Sequence, residues 1–131
     1  MERSCRMSNK IVVSPLSKTW LLDIDGTICK HNGYLLDGHD TLLPGARAFF
    51  DAIPTGDKIV FVTSRKKEYA STTEAFLTEN GIRYDAIVFD LPYGERILIN
   101  DKKPSGLPMS IAINTERDKM CETEFVIDKN L

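Results

Sequence analysis

The chain has 131 residues, of which 42% are hydrophobic and 27% are charged, proportions that are ordinary for a globular domain. They exclude a collagen, a coiled-coil rod and a wholly disordered chain. With 17 Lys and Arg against 19 Asp and Glu, the net charge is −2, so no bulk positive field favours a nucleic-acid partner.

The N-terminal residues and the cysteines together predict a cytoplasmic protein. The basic start leads into no long apolar run, so we expect neither a signal peptide nor a membrane span. The cysteines are odd in number and form no CxxC pair, which is typical of a reducing compartment. They are Cys5, Cys29 and Cys121. We expect residues 1–10 to form a flexible arm, with Met7 as an alternative start, and residues 11–131 to form one domain.

Short apolar runs separate longer amphipathic segments along the chain. Runs that do not alternate with polar residues are typical of a parallel sheet covered on both faces. We predict strands at Thr19–Ile24, Lys58–Val62, Ala86–Phe89, Arg96–Ile99 and Ser110–Ile113. Phe125–Ile127 could add a short edge strand, and Ile11–Val13 is ambiguous.

Helices are predicted between these strands. Pro44–Ile53 has proline in a plausible first turn, and Ser64–Asn80 ends at an Asn-Gly pair that stops helices. The alternation predicts an α/β fold with a doubly wound, mostly parallel sheet of about five strands. Residues 27–43 are long for a strand-to-helix connection, so we predict a functional loop or a small hairpin there.

Two aspartates follow the first predicted strand. Asp23 and Asp25 lie at its carboxyl end, which is where ligands bind in open α/β sheets. Two neighbouring carboxylates repel each other unless a cation binds there or one of them is protonated. Gly26 and Thr27 then allow a sharp turn whose backbone N–H groups can receive a phosphate. The pattern favours a phosphate or metal site over acids that only cap a turn.

Residues 23–27, DIDGT, resemble the first motif, DxDGT, of the haloacid dehalogenase superfamily of phosphatases. The second motif of that family is a Ser or Thr that closes an apolar strand, and Thr63 is similar to it. The fourth motif is an acid after another apolar strand, and Asp101 is similar to that. The resemblance spans residues 19–114 and implies a Rossmann-like phosphatase core.

The resemblance also implies roles for these residues. Asp23 would be the nucleophile that forms an aspartyl-phosphate, and Asp25 would be the general acid and base. A Mg²⁺ ion would be held by Asp23, the main-chain carbonyl of Asp25 and Asp101. The phosphate-binding residues would be Gly26, Thr27, Thr63 and Ser64. Thr63 or Ser64 could instead cap the following helix, whose N-terminus would then lie near the phosphate.

Two departures from the family pattern affect the predicted site. The family usually has a phosphate-neutralising Lys ahead of the fourth motif, but residues 85–99 contain none. Lys102 is the candidate replacement, with a solvated loop lysine as the alternative. Many members have two adjacent acids where this chain has Asn100-Asp101. The predicted site is therefore less acidic, and the register of its metal ligand is open.

The spacing of the motifs leaves no room for a cap domain. The gaps from Thr27 to Thr63 and from Thr63 to Asp101 are filled by predicted loops, helices and strands. A capless site is open, which suits a bulky substrate or enclosure by a neighbouring subunit of a homo-oligomer. Residues 91–94 and 100–106 add turns similar to those of small phosphatase-like proteins of capsule synthesis. That resemblance implies a small phosphorylated substrate, such as a sugar or polyol phosphate.

The loop at residues 29–34 follows the DIDGT turn directly. Lys30, His31 and Tyr34 could contact a leaving group, although an exposed hairpin turning at Asn32-Gly33 explains each of them more simply. We interpret Cys29 as a small filler rather than a nucleophile, because no base is placed to activate it.

Three other functions remain open. A receiver-like phospho-accepting domain is also doubly wound, but it separates its phosphorylated aspartate from its acid pair. A catalytically weak binding or assembly protein of the same fold would explain the missing lysine. A polynucleotide or protein phosphatase would suit an open site, and salt-dependent binding to nucleic acid would favour it.

Overall fold

The computed structural model describes residues 9–131, which fold as two compact units. The larger unit contains Ser17–Glu95 and Thr115–Met120, and the smaller unit contains residues 9–16, Arg96–Asn114 and Cys121–Leu131. Residues 1–8 of the predicted arm lie outside the described residues, and strand β1 (Lys10–Val13) begins within its last part. Each unit has a parallel sheet of its own.

The larger unit alternates strands and helices, as the sequence predicts. In chain order it contains β2 (Thr19–Leu22), α1 (Gly33–Leu36), α2 (Ala46–Asp51), β3 (Lys58–Val62), a 3₁₀ turn (Lys67–Tyr69), α3 (Ala70–Glu79) and β4 (Ala86–Val88). The predicted α/β class is therefore confirmed. The helix predicted from Pro44 begins only at Ala46, because Gly45 has a left-handed φ of 88°.

Three parallel strands form the sheet of the larger unit, in the order β2-β3-β4. Leu22 pairs with Phe61, and Val62 pairs with Val88. Parallel neighbours cannot be joined by a tight turn, so each crossover carries helices: α1 and α2 before β3, and α3 before β4. The carboxyl ends of β2 and β3 consequently lie side by side at one edge of the sheet.

Aromatic rings pack α2 against one face of this sheet. The side chains on that face belong to Trp20, Leu22, Ile59 and Phe61. The ring of Phe50 lies 5.8 Å from that of Phe61, and Phe49 lies 5.8 Å from Trp20 in an edge-to-face arrangement. Ile59 and Phe61 have no exposed area. This contact fixes β2 and β3 and therefore the turns at their carboxyl ends.

Helix α3 ends where the sequence predicts but begins later. Gly81 follows it with a φ of 69°, the left-handed conformation that stops helices. The predicted start at Ser64 is wrong, because the side chain of Arg65 turns into the interior and the helix forms only from Ala70. With ten residues α3 is the longest described helix. No helix within residues 9–131 is both long enough and apolar enough to cross a membrane.

Residues 27–43 form short antiparallel pairs around α1. The N–H of Lys30 donates to the carbonyl of Thr41, and the N–H of Leu43 donates to that of Ile28, both at 2.9 Å. The two paired segments of the predicted small hairpin are therefore confirmed. The predicted turn at Asn32-Gly33 is wrong, because Asn32 has a φ of 55° and leads into α1.

The smaller unit is built on two parallel strands, β1 and β5 (Glu124–Ile127). Lys10 pairs with Glu124 and Val13 with Ile127. The pairing confirms the short C-terminal strand and gives the ambiguous segment at residues 11–13 the geometry of a strand.

Two predicted strands, Arg96–Ile99 and Ser110–Ile113, have irregular backbone in the structure. Ile97 is 83% and Ile99 88% exposed. An apolar run supplies side chains for a covered face, but a strand forms only where a neighbour offers backbone partners. The single sheet of about five strands is therefore wrong: the strands of the described residues belong to two sheets. The prediction that both faces of the sheet are covered is wrong as well, since the side chain of Leu21, on the face away from α2, is 51% exposed.

Candidate functional site

The two predicted catalytic aspartates lie on the turn that follows β2. Ile24, between them, is fully buried. Its carbonyl accepts the N–H of Thr27 at 3.1 Å and that of Ile28 at 3.0 Å. This anchor fixes the turn while Asp23 and Asp25 stay partly exposed.

Gly26 gives the turn its shape. Its φ of 78° lies in the left-handed region that residues with a side chain rarely adopt. Its N–H donates to the carbonyl of Cys29 at 2.8 Å. A β-carbon at this position would lie only 3.2 Å from Cγ of Arg117. The turn therefore requires glycine whether or not a phosphate binds there.

Thr27 orients Asp23. Its hydroxyl donates to Oδ2 of Asp23 at 3.1 Å, which holds the carboxylate in one position while it remains partly exposed. A carboxylate that is both oriented and reachable can attack an electrophile or bind a cation. Phosphate binding by Thr27 stays a prediction, and the structure shows its contact with Asp23, the predicted nucleophile.

Thr63 and Ser64 follow β3 at the same edge of the sheet. Thr63 is buried, and its Oγ1 accepts the N–H of Arg65 at 3.0 Å. The hydroxyl of Ser64 donates to the carbonyl of Pro92 at 3.2 Å. The predicted helix cap at Thr63 or Ser64 is wrong, because α3 begins only at Ala70.

Arg65 joins Asp25 to Asp40, a residue that no sequence pattern indicated. Nε and Nη2 of Arg65 donate to the two oxygens of Asp25 at 2.9 and 3.0 Å. Nη1 and Nη2 donate to the two oxygens of Asp40 at 3.0 and 2.6 Å. One guanidinium therefore holds two carboxylates in the two-pronged geometry that gives the strongest ion pairs.

The surroundings of Arg65 are closed to solvent. Its side chain has no exposed area, and that of Asp40 is 1% exposed. The ring of Tyr34 lies 4.0 Å from the guanidinium carbon, a cation–π contact. Burial alone would lower the pKa of Arg65, but hydrogen bonds to Asp25 and Asp40 raise it above its usual value. Arg65 is therefore a permanent cation.

Cys29, predicted as a small filler, lies beside this cluster and is buried. It has no exposed area, and Nη2 of Arg65 lies 3.7 Å from its Sγ. Burial raises the pKa of the thiol, and the negative charge of Asp40 raises it further. Cys29 is therefore a thiol rather than a nucleophilic thiolate at neutral pH.

Lys30 and Tyr34 have partners of their own. The ammonium of Lys30 pairs with Asp37 at 2.8 Å on the protein surface, and Tyr34 packs edge-to-face on Tyr69, with ring centroids 4.9 Å apart. Burial raises the pKa of Tyr34, and the charge of Asp25 adds to the effect. Contacts of either residue with a leaving group stay a prediction.

The segment Thr115–Met120 supports the DIDGT turn. The N–H of Asp118 donates to the carbonyl of Gly26 at 2.7 Å, and Oδ1 of Asp118 accepts the N–H of His31 at 2.7 Å. Nδ1 of His31 is buried and has no hydrogen-bond partner among residues 9–131. These contacts could not be predicted locally, because the segment is distant in sequence.

Asp101 and Lys102 belong to the smaller unit. Both are exposed and lie in irregular backbone. The side-chain amide of Asn100 donates to the carbonyl of Asp101 at 3.0 Å. Metal binding by Asp101 and phosphate binding by Lys102 stay predictions. The other predicted site residues share the larger unit: Asp23, Asp25, Gly26, Thr27, Thr63 and Ser64.

Three side chains are spaced as metal ligands. Single ligand atoms of Asp25, Cys29 and Asp40 all lie within 4.8 Å of one another. This group differs from the predicted Mg²⁺ ligands, in which Asp25 contributes its main-chain carbonyl. It mixes hard carboxylate oxygens with a sulfur, whereas Mg²⁺ prefers oxygen alone. Arg65 already binds the oxygens of both aspartates.

No family model and no curated protein matches the chain. A chain in a structure of the Pnkp1/Rnl/Hen1 complex is similar to it with a TM-score of 0.49 and 25% identity, over 65% of this chain and 32% of that one. A chain in a structure of the Pnkp1/Rnl/Hen1 RNA repair complex has a TM-score of 0.50 and 24% identity, over 73% and 32%. The protein therefore spans 32% of the chains it resembles, and the likeness is one of fold.

Proposed function

We propose that the protein hydrolyses a phosphomonoester with the help of Mg²⁺ and that Asp23 accepts the phosphoryl group. The observation that carries this proposal is the oriented, reachable carboxylate of Asp23 on the turn after β2. That turn lies at the carboxyl edge of a parallel sheet, beside Thr63 at the end of β3, and ligands bind at such edges. A carboxylate there can attack phosphorus in line and form an acyl phosphate.

In the larger unit, the carboxylate of Asp23 and the main-chain carbonyl of Asp25 would bind the ion, and the family resemblance adds the carboxylate of Asp101 as the third ligand. All three donors are oxygens, and Asp23 is partly exposed, so retained waters have room, as Mg²⁺ demands. The ion would offset the repulsion between Asp23 and an anionic phosphate and would stabilise the charge in transfer.

Asp25 performs the proton transfers in this proposal. Arg65 donates to both of its oxygens, and this pairing holds the Asp25 carboxyl group in one position. A carboxylate can accept a proton from the water that cleaves the acyl phosphate. The first step would then suit leaving groups that depart without needing a proton.

The test is phosphate release from a substrate panel with Mg²⁺. Sugar and polyol phosphates are the favoured class, and an aryl phosphate serves as the reactive reference. An end-phosphorylated oligoribonucleotide is included because one similar structure is an RNA repair complex, although that likeness concerns the fold alone. A phosphatase releases phosphate from at least one of these, and EDTA stops the release.

Asp23→Asn should abolish the release, while Asp51→Asn, an exposed aspartate on α2, should leave it unchanged. Activity that survives both Asp23→Asn and EDTA contradicts the proposal. Saturable phosphate binding without turnover would instead support a binding protein of the same fold.

A further inference from the structure

The cluster of Asp25, Cys29 and Asp40 has the spacing of a metal site but already contains a cation. The guanidinium of Arg65 lies among the three side chains and contacts each of them. Arg65 follows Thr63-Ser64 at the end of β3, so the sheet itself delivers it to the turn after β2. The cluster is therefore assembled around the arginine.

Every N–H of the guanidinium has an acceptor. Arginine offers five such donors in a fixed plane. Nε and one N–H of Nη2 bind Asp25, and the second N–H of Nη2 and one of Nη1 bind Asp40. The remaining N–H of Nη1 binds Oγ1 of Thr73 at 2.9 Å. No donor is left for a substrate phosphate, so Arg65 serves the protein rather than the ligand.

The chemistry of the cluster disfavours a metal while Arg65 is present. A metal would need the same carboxylate oxygens, which Arg65 already binds, and the side chain of Asp40 is only 1% exposed. It would also need the sulfur of Cys29, which has no exposed area and already contacts Nη2 of Arg65 at 3.7 Å. Without the arginine, two acids and a sulfur within 4.8 Å would have no resident cation to balance them.

We propose that Arg65, anchored by Asp40, is a built-in cation that excludes metal ions from this cluster and holds the Asp25 carboxylate in position as a base. The first half stands on the geometry alone. The second half rests on the proposed function, because it assigns Arg65 as the positioning residue for the step in which water cleaves the acyl phosphate. Asp23 is thereby left for the nucleophilic step.

Cadmium binding tests the first half without any need for activity. In a Cys5→Ser, Cys121→Ser background, Cys29 is the sole thiol, so ultraviolet thiolate-to-cadmium absorption reports binding at this cluster. We expect no absorption with Arg65 present. Arg65→Ala should show the absorption and should melt at a higher temperature with Cd²⁺ than without it. The absorption should be absent when Cys29→Ser is combined with Arg65→Ala.

Two results overturn the first half. One is thiolate-to-cadmium absorption while Arg65 is intact. The other is a failure of Arg65→Ala to respond to Cd²⁺: the variant is folded but does not bind the ion, or it is unfolded and stays unfolded when Cd²⁺ is added. If Arg65→Ala is unfolded alone but folds with Cd²⁺, the result supports the proposal, because Cd²⁺ then replaces the guanidinium of Arg65 as the cation of the cluster.

Pre-steady-state kinetics with an aryl phosphate test the second half. The first step then needs no proton, so a displaced base slows the second step alone. Arg65→Lys keeps the charge but cannot pair with both carboxylates in two-pronged fashion. For Arg65→Lys we expect a burst of released phenol, followed by steady-state turnover that is at least about tenfold slower than in the parent. Arg47→Lys, at an exposed arginine, should show no change.

An equal slowing of both phases in Arg65→Lys overturns the positioning role, because a merely structural defect reduces the whole reaction. Unchanged turnover also overturns it. If the proposed function itself fails, the result differs from both of these, because the parent protein would then release no phenol from the aryl phosphate. In that case the cadmium experiment still decides whether Arg65 is the resident cation.

Discussion

The two aspartates of the turn after β2 are two residues apart and both partly exposed, but their side chains have different partners. On the open side, Asp23 is partly exposed and accepts a hydrogen bond from the hydroxyl of Thr27. On the closed side, Asp25 is held at both oxygens by Arg65, whose side chain has no exposed area. The side chain of Asp40, which completes the closed side, is buried almost completely.

This difference separates the carboxylate proposed as nucleophile from the carboxylates whose pairing with Arg65 stabilises the fold. A carboxylate that reacts must be reachable, so replacing it should remove activity and leave the fold intact. A carboxylate paired with a buried arginine cannot lose its partner without leaving a charge uncompensated in the interior. Substitutions on the open and closed sides should therefore have distinct effects on activity and on the free energy of unfolding.

The largest effect on stability is expected from Arg65→Met. It keeps an apolar stem of similar length but leaves Asp25 and Asp40 without their shared cation. We expect a loss of about 3–5 kcal/mol in the free energy of unfolding, measured by urea denaturation. Arg47→Met, at an exposed arginine of α2, should change it by less than about 0.5 kcal/mol. Equal losses in both variants would remove the distinction between the two sides.

Asp40→Asn and Asp23→Asn compare the two sides directly with the same chemical change. Asp40→Asn places an amide N–H₂ against the donors of Arg65, and we expect it to destabilise the fold by about 2–3 kcal/mol. Asp23→Asn should alter stability by less than about 1 kcal/mol and abolish phosphate release. Denaturation curves and phosphate assays on both variants check this pair. Similar stability of the two variants would contradict the contrast.

Thr27 offers a smaller test on the open side. Thr27→Val removes the hydroxyl that donates to Asp23 and keeps the shape of the side chain. We expect a loss of about 1 kcal/mol in stability, together with a lower rate of phosphate release. Thr27→Ser keeps the hydroxyl and should retain most of the rate. If Thr27→Ser and Thr27→Val release phosphate equally slowly, the hydroxyl does not orient Asp23.

The smallest effect is expected at Tyr34, on the closed side. Tyr34→Phe keeps the ring over Arg65 and should change stability at neutral pH by less than about 0.5 kcal/mol. Burial, with the charge of Asp25, raises the pKa of Tyr34, so folding favours the neutral phenol. The contribution of the neutral phenol of Tyr34 to the free energy of unfolding is therefore fully present below the ordinary tyrosine pKa of about 10.

That linked stability is lost as the pH rises through the raised pKa of Tyr34 in the folded protein. The parent should therefore lose stability above about pH 10 that Tyr34→Phe retains. Denaturation of both proteins across that range checks the sign. Parallel pH profiles of the parent and Tyr34→Phe would show that the surroundings of the phenol do not favour its neutral form.

The fold could be predicted where apolar runs also find strand partners. Residues 19–22 and 58–62 are runs of this kind, and they pair as β2 and β3. Residues 96–99 are similarly apolar but have irregular backbone. Composition indicates which side chains avoid water, whereas pairing depends on which edges the rest of the chain brings within reach.

The candidate site divides in the same way. The DIDGT turn is local, so Asp23, Asp25, Gly26 and Thr27 could be identified from adjacent residues. Asp40 and Arg65 are 25 residues apart, and Asp25 and Arg65 are 40 apart. Contacts over such distances leave no periodic or adjacent pattern in a single sequence.

Mass spectrometry of the protein after reaction with an aryl phosphate tests directly whether Asp23 accepts the phosphoryl group. In Asp25→Asn, which lacks the base for the second step, we predict one added phosphoryl group on the peptide that contains Asp23. Asp23→Asn should show no such gain. No phosphoryl group on either protein, or one carried by a different residue, would contradict the account.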